Sequence, residues 1–413
     1  MHGADITVVV RQSMMVLVLI IVAAKLGGEI MGRLGQPPVL GELLMGVILG
    51  NLNLLGFHLF DSLRTLPSLA VLAEIGAILL LFEVGVESDL MQLLAVGWSS
   101  LLVATLGVVA PLALGYLVST RLMPGSGWLT HLFIGGTLTA TSVGITARVL
   151  KDLGKSSTKE ARIILGAAIA DDVIGLVVLA VISGLTSAAA SGTGAEGFSW
   201  TACLWIISKA VFFLVAAVVM GRFWSQRVFT VAARLQVSGA LLALCICFCF
   251  SLATVASLVG LAPIVGAFAA GVVLEEVQYQ PFLERGERNV QDLLFPLTTL
   301  VAPVFFVLMG LRIDLRSFSS VPVLIFAGLI TVVAVIAKQI CALGVLERGV
   351  NRLAVGVGMI PRGEVGLIFA GMGSTLMLHG KPILSPTTFS ALVLMVMLTT
   401  FVTPPLLKAV FRR

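Results

Sequence analysis

Long apolar runs, separated by short stretches of charge, glycine and proline, fill the chain almost from end to end. Read between those breaks, they predict thirteen helical spans near 6–31, 38–55, 66–86, 97–120, 129–150, 160–184, 202–220, 237–259, 263–277, 292–311, 321–345, 352–378 and 388–410. Most have the roughly 17–25 residues that carry a helix across a bilayer. The ninth is short, and the longest connection, about 184–201, is rich in Ser, Gly and Ala with a single charge. Gly, Ser and Ala inside the spans let helix backbones approach closely in lipid.

Composition agrees. The 413 residues are 58% hydrophobic and 11% charged, against about 25% charged in ordinary soluble domains. The pattern therefore predicts an all-α polytopic membrane protein. The net charge of +5 is small, and no basic cluster interleaved with aromatics points to nucleic acid. Cys203, Cys245, Cys247, Cys249 and Cys341 lie in apolar stretches without nearby histidine. They read as small buried hydrophobes rather than a metal site, and no cofactor is implied. The first residues lack a basic segment, so the first span is expected to be retained. With an odd number of spans the termini lie on opposite sides. The short loops on the C-terminal side carry sixteen Lys and Arg, including Arg148, Lys151, Lys155, Arg348 and Arg413, against six opposite. That places the C-terminus in the cytoplasm and the N-terminus outside, in the plasma membrane.

A repeat runs through the chain. Gly35-Gln-Pro-Pro-Val-Leu-Gly-Glu-Leu-Leu-Met-Gly-Val-Ile-Leu49 returns as Gly260-Leu-Ala-Pro-Ile-Val-Gly-Ala-Phe-Ala-Ala-Gly-Val-Val-Leu274, an offset of 225. At the same offset Gly85 and Asp89-Leu90 recur as Gly310 and Asp314-Leu315, and at 222 Val143-Gly144 recurs as Val365-Gly366. Spans 1–6 then pair with spans 8–13, leaving span 7 as a linker. Mates seven spans apart face opposite ways, so the repeats are inverted. That arrangement is common in secondary transporters, which bind near the midplane at interrupted helices.

Two spans carry such interruptions. Span 5 holds Gly135-Gly136-Thr-Leu-Thr139-Ala-Thr141-Ser142-Val-Gly144, and span 12 holds Gly356-Val-Gly-Met-Ile-Pro361-Arg362-Gly363-Glu364-Val-Gly366. Proline removes a helical hydrogen bond and glycines weaken the rest, so both are expected to unwind where backbone lines a cavity or packs on protein. Freed carbonyls and the hydroxyls of Thr139, Thr141 and Ser142 suit a small cation, although each hydroxyl could simply bond back to its own helix. Arg362 and Glu364 are expected to neutralise each other or the half-helix ends rather than touch substrate.

Span 6, directly after the first break, holds Asp171-Asp172 in an apolar run. Neighbours on a helix point about 100° apart, so the two carboxylates face different partners. An acid pair in so poorly solvated a place can hold protons or a metal cation near neutral pH, the chemistry of an exchanger. Lys338, alone in span 11, must be paired or neutral in a dry span, and one of the two aspartates is its natural partner.

These residues resemble the monovalent cation:proton antiporters, specifically the bacterial NapA-type sodium/proton antiporters of the cation:proton antiporter-2 branch. The resemblance covers essentially the whole chain. It rests on Gln36-Pro37-Pro38-Val-Leu-Gly41-Glu42, Thr139-Ala-Thr-Ser-Val-Gly-Ile-Thr-Ala-Arg148, Ala170-Asp171-Asp172-Val and Pro361-Arg-Gly-Glu-Val-Gly366. It implies the NhaA/NapA-like fold, with crossed discontinuous helices. Asp172 becomes the ligand of Na+ or Li+, and Asp171 the partner of Lys338 in an ion pair that breaks when sodium binds. Exchange is then electrogenic, two protons per sodium, with elevator-type alternating access. A homodimer is implied too. Residues 1–90 and 237–315 form its scaffold, 91–184 and 316–413 the moving core, and 185–236 the linker. Glu74 is expected to serve helix packing or a funnel. Glu83 stands where relatives are expected to have an apolar residue, and the two remain candidate accessory acids. The chain's end at Arg413 leads us to expect no cytosolic regulatory domain, which counts against a glutathione-gated potassium-efflux system.

The alternatives are a potassium/proton antiporter on the same scaffold and, further off, an organic anion:sodium symporter, which would not need Lys338 facing Asp171. No enzyme is expected. An intramembrane aspartyl protease needs acids on two helices and a Gly-x-Gly-Asp motif, which the sequence lacks.

Overall fold

A computed structural model describes residues 6–55, 66–87, 97–155, 158–190, 239–274, 288–378 and 380–411, with scattered positions within 205–229 and 280–283. The Asp89-Leu90 part of the repeat, most of the expected linker span and the chain's first residues lie outside them. Among the described residues, eight helices are long and apolar enough to cross a membrane.

The chain divides into two compact units. The first comprises Met1–Asp89 and Phe212–Leu315. It contains α1 (Ile6–Arg33), α2 (Pro38–Gly50), α3 (Pro67–Glu87), α8 (Ala240–Leu258), α9 (Pro263–Val273) and α10 (Val290–Leu311). Proline at the first position of α2, α3 and α9 sets the helical φ where no hydrogen bond is lost. Packing is backbone on backbone. A Cβ on Gly46 would come 2.2 Å from the Val307 carbonyl oxygen, and one on Gly310 would come 2.2 Å from that of Leu43. Gly85 and Gly271 meet the carbonyls of Phe268 and Phe82 in the same way, at 2.4 and 2.3 Å. The α2–α10 and α3–α9 contacts exchange places under the 225-residue offset. Asn51 locks the ends of α2 and α10: its amide donates to the carbonyls of Val47 and Ile313, both at 2.8 Å, and its oxygen accepts from the Leu315 N–H. Cys245 and Cys249 lie one turn apart in an apolar cluster with Leu241, Ala253 and Phe282.

The second unit, Leu90–Val211 and Arg316–Arg413, contains α4 (Trp98–Leu122), α5 (Trp128–Thr137), α6 (Val143–Asp152) and α7 (Lys159–Ala190). After the chain returns it adds α11 (Val321–Ile340), α12 (Arg352–Gly358), α13 (Glu364–Thr375), β1 (Met377–Leu378), β2 (Lys381–Pro382) and α14 (Pro386–Phe411). Spans 5 and 12 are each broken into two half-helices. The second halves, α6 and α13, begin at the 222-residue offset to within one position.

Several boundaries differ from expectation. Span 12 ends at Thr375, and Met377–Pro382 forms a small hairpin pairing Leu378 with Lys381, with Gly380 supplying the positive φ of 76° that its tight turn needs. The connection expected from 184 begins as helix, since α7 continues to Ala190 through an alanine run of high helix propensity. Spans 2 and 11 close in 3₁₀ turns, at Leu52–Leu55 and Cys341–Gly344.

Candidate functional site

The site is built from the second unit. Both half-helix breaks expose backbone that has lost its own ladder, and each break satisfies the other. The Ser142 N–H donates to the Pro361 carbonyl at 2.8 Å. The Thr146 hydroxyl donates to Gly358 O at 2.7 Å, and that of Thr141 to Met359 O at 3.4 Å. In return the Arg362 guanidinium donates through Nη1 to the carbonyls of Ala140, at 3.1 Å, and Thr139, at 3.4 Å. Its Nη2 donates to Ala334 O on α11 at 3.2 Å. Arg362 is fully buried, so a fixed positive charge sits at the carbonyl end of α5, where a helix presents partial negative charge. The Arg362 carbonyl accepts in turn from the Thr400 hydroxyl of α14 at 2.6 Å. Gly363 makes the crossing possible: a Cβ there would come 2.8 Å from both Cβ and Oγ of Ser142.

Lys338 and Asp171 meet beside this crossing. The ammonium lies 3.1 Å from Oδ1 and 3.4 Å from Oδ2, and both side chains have no exposed surface. The Thr141 side chain also stands beside the Asp171 carboxylate, and Arg362 lies within electrostatic range of both members of the pair. Asp172, one residue on, is half-buried, and the 100° step of a helix carries it to a different face. Asp171, Asp172, Lys338 and Arg362 carry two formal charges of each sign, so the cluster is neutral with both carboxylates ionised. A cation added there unbalances it unless a proton leaves.

The candidate residues separate accordingly. Asp171, Lys338, Thr141, Ser142 and Arg362 belong to one neighbourhood, with Asp172 next along α7, and the Arg362 guanidinium hydrogen-bonds carbonyls at the first break and on α11. The Thr139 hydroxyl bonds back to Gly136 O at 2.7 Å, leaving the backbone at the break. Glu364 opens α13, and its side chain lies outside the described ones. Glu74 and Glu83 belong to the first unit, where Arg312 and Thr298 are their respective neighbours. Sequence reasoning missed Thr146 and Thr400, since a threonine inside a helix gives no sign that it bonds across to another. It also missed Gln339, whose amide nitrogen and oxygen are both buried without a partner among the described residues.

Residues 16–413 match the family model described as sodium/hydrogen exchanger, transmembrane. The chain is 38% identical to the high-affinity Na+/H+ antiporter NhaS3 of Synechocystis, over 96% of this chain and 89% of that protein. It is 35% identical to the Na+/H+-K+ antiporter GerN of Bacillus cereus, over 95% of each. The solved structure of the sodium proton antiporter MjNhaP1 from Methanocaldococcus jannaschii superposes with a TM-score of 0.70 at 16% identity, covering 98% of this chain and 96% of that one, a likeness of fold.

Proposed function

The chain belongs to the sodium/hydrogen exchanger family, and from that premise we propose that it exchanges sodium or lithium for protons across the plasma membrane. The observation that carries this reading is the fully buried Lys338–Asp171 pair with Asp172 beside it, next to two crossed helix breaks. Asp172 binds the cation or a proton, with backbone oxygens of the first break and the Thr141 and Ser142 oxygens as supplementary ligands. Asp171 binds Lys338 when the cation is absent. The Lys338 ammonium and the incoming sodium are mutually exclusive neighbours, because a second uncompensated positive charge in a dry site is costly. As sodium enters, Asp172 gives up one proton and Lys338, losing its contact with Asp171, gives up a second, so each turnover moves two protons against one sodium and is electrogenic.

Arg362 keeps the breaks crossed while the ion comes and goes. It touches carbonyls rather than substrate, so its charge is structural. The thirteen-span, inverted-repeat reading is supported by the reciprocal glycine contacts at the 225-residue offset. We assign the first unit to the scaffold of a homodimer and the second to the core that moves as an elevator. The N-terminus lies outside and the C-terminus in the cytoplasm.

The test is dye-reported pH change in vesicles holding the purified protein, on addition of sodium, lithium or potassium. Sodium and lithium are expected to drive proton movement, and a membrane potential is expected to alter its rate. Movement with potassium alone would favour potassium/proton exchange, in keeping with the name of GerN. No proton movement with any of the three ions would remove the antiport reading.

A further inference from the structure

We propose that Gly107 on α4 sets the room in which Lys338 and Asp171 part and re-form, and so tunes how strongly the lysine competes with the transported cation; this rests on the ion-pair reading above. A mid-helix glycine costs about 1 kcal/mol against alanine, so its presence needs a reason in its surroundings. The two glycines of α4 have different reasons. A Cβ on Gly115 would come 2.8 Å from the Gly135 Cα, so that glycine serves the close approach of α4 and α5. A Cβ on Gly107 would find no backbone as its nearest neighbours. It would lie 3.3 Å from Lys338 Nζ, 3.5 Å from Asp171 Oδ1 and 3.6 Å from Cys341 Cβ.

The missing methyl group therefore faces the charge pair itself. Interiors are packed as densely as organic crystals, and a fully buried ammonium can withdraw from its carboxylate only where a neighbour is small. Three other groups stand near the pair. The Cys341 thiol donates to Lys338 O at 2.7 Å, Arg362 holds the break, and the Thr141 side chain stands beside Asp171. Gly107 is the side of the pair made without a side chain. A methyl group there crowds the closed pair, and being apolar it offers neither charge a hydrogen bond. Lys338 then competes less well for Asp171, sodium binds more readily, and protons must be more abundant to displace it. Serine has similar bulk but a hydroxyl that can donate to the carboxylate or accept from the ammonium, so it is expected to restore the pair in part.

The experiment compares wild type, Gly107→Ala and Gly107→Ser in vesicles, reading the half-saturating sodium concentration and the pH midpoint of exchange, with the melting temperature taken without sodium. The titratable and charged groups facing this point are Asp171, Lys338, Cys341 and Arg362, with Asp172 adjacent. Gly107→Ala is expected to lower half-saturating sodium about threefold and move the midpoint to lower pH by about half a unit. Gly107→Ser is expected to fall between it and wild type, and both should melt within a few degrees of wild type. Exchange by the wild type with an unchanged sodium and pH dependence in Gly107→Ala would overturn the proposal alone. Ala and Ser variants that act alike and move only the melting temperature would also overturn it, as would failure of Gly107→Ala to fold, because the crowded atoms are side-chain ends rather than backbone. Absence of exchange by the wild type would overturn the antiport reading and this proposal with it.

Discussion

Glycine brings helix backbones together in both units, but only around the charged site of the second does it face the ends of polar side chains among the described residues. In the first, Gly46, Gly310, Gly85 and Gly271 are places where helix backbones touch, and any added atom would strike a carbonyl at 2.2–2.4 Å. In the second, Gly115 and Gly135 meet backbone in the same way, at 2.8 and 2.5 Å, but Gly107, Gly356 and Gly363 face side chains: the Lys338–Asp171 pair, the Gln339 amide and Ser142. Backbone contacts cannot yield without moving whole helices, whereas side-chain ends can. On the proposed mechanism the first unit stays fixed, and the second keeps its freedom at the charged and polar groups that rearrange.

The sharpest way to break this contrast is to enlarge a glycine of the first unit. Gly310→Leu places its Cβ against the Leu43 carbonyl, and Gly46→Leu does so against that of Val307. Overpacking of about 1–3 kcal/mol per added group is ordinary, and backbone collisions exceed it. We expect little monodisperse protein by size-exclusion chromatography; a well-folded variant that exchanges sodium normally would mean that these contacts are not fixed.

Next in size is Arg362→Leu. Its three carbonyl partners, Thr139, Ala140 and Ala334, would lose their donor inside a dry core. Removing one partner of a buried charged network costs about 3–5 kcal/mol. A large fall in melting temperature is expected together with loss of flux. Unaltered stability would show that the breaks hold each other without the arginine.

Thr146→Val removes only the bond to Gly358 O, for a loss of about 1 kcal/mol. The melting temperature should fall by a few degrees while half-saturating sodium stays as in wild type. A change in sodium dependence would mean that Thr146 does more than staple the breaks.

The pH dependence sharpens the second unit's side of the comparison. On the proposed mechanism sodium and protons compete for the same carboxylates, so lowering the pH should raise half-saturating sodium, and raising it should lower that value to a plateau. Titration of sodium-driven exchange at several pH values checks this; a half-saturating concentration that does not change with pH would separate the two ions.

Much of this was written in the chain because it is local. The breaks in spans 5 and 12 follow from clustered Gly and Pro, which weaken a helix wherever they occur. The repeated motifs show in offsets of 225 and 222, and a lone lysine in an apolar span demands an acidic partner. Properties that depend on which helix faces which were not legible. The direction of the Arg362 fork, the cross-break bonds of Thr146 and Thr400, and the exposure of the Asp171–Lys338 pair to Gly107 all join residues far apart in the chain. The hairpin at Met377–Pro382 escaped because two-residue strands carry no periodicity.

The most direct test of the account is sodium-driven proton movement by Asp172→Asn in vesicles, beside wild type and Lys338→Ala. The account predicts that Asp172→Asn, folded and inserted, falls to the level of empty vesicles, while Lys338→Ala keeps measurable exchange with altered sodium affinity or altered response to membrane potential. Exchange by Asp172→Asn at the wild-type rate would contradict it and place the ion elsewhere.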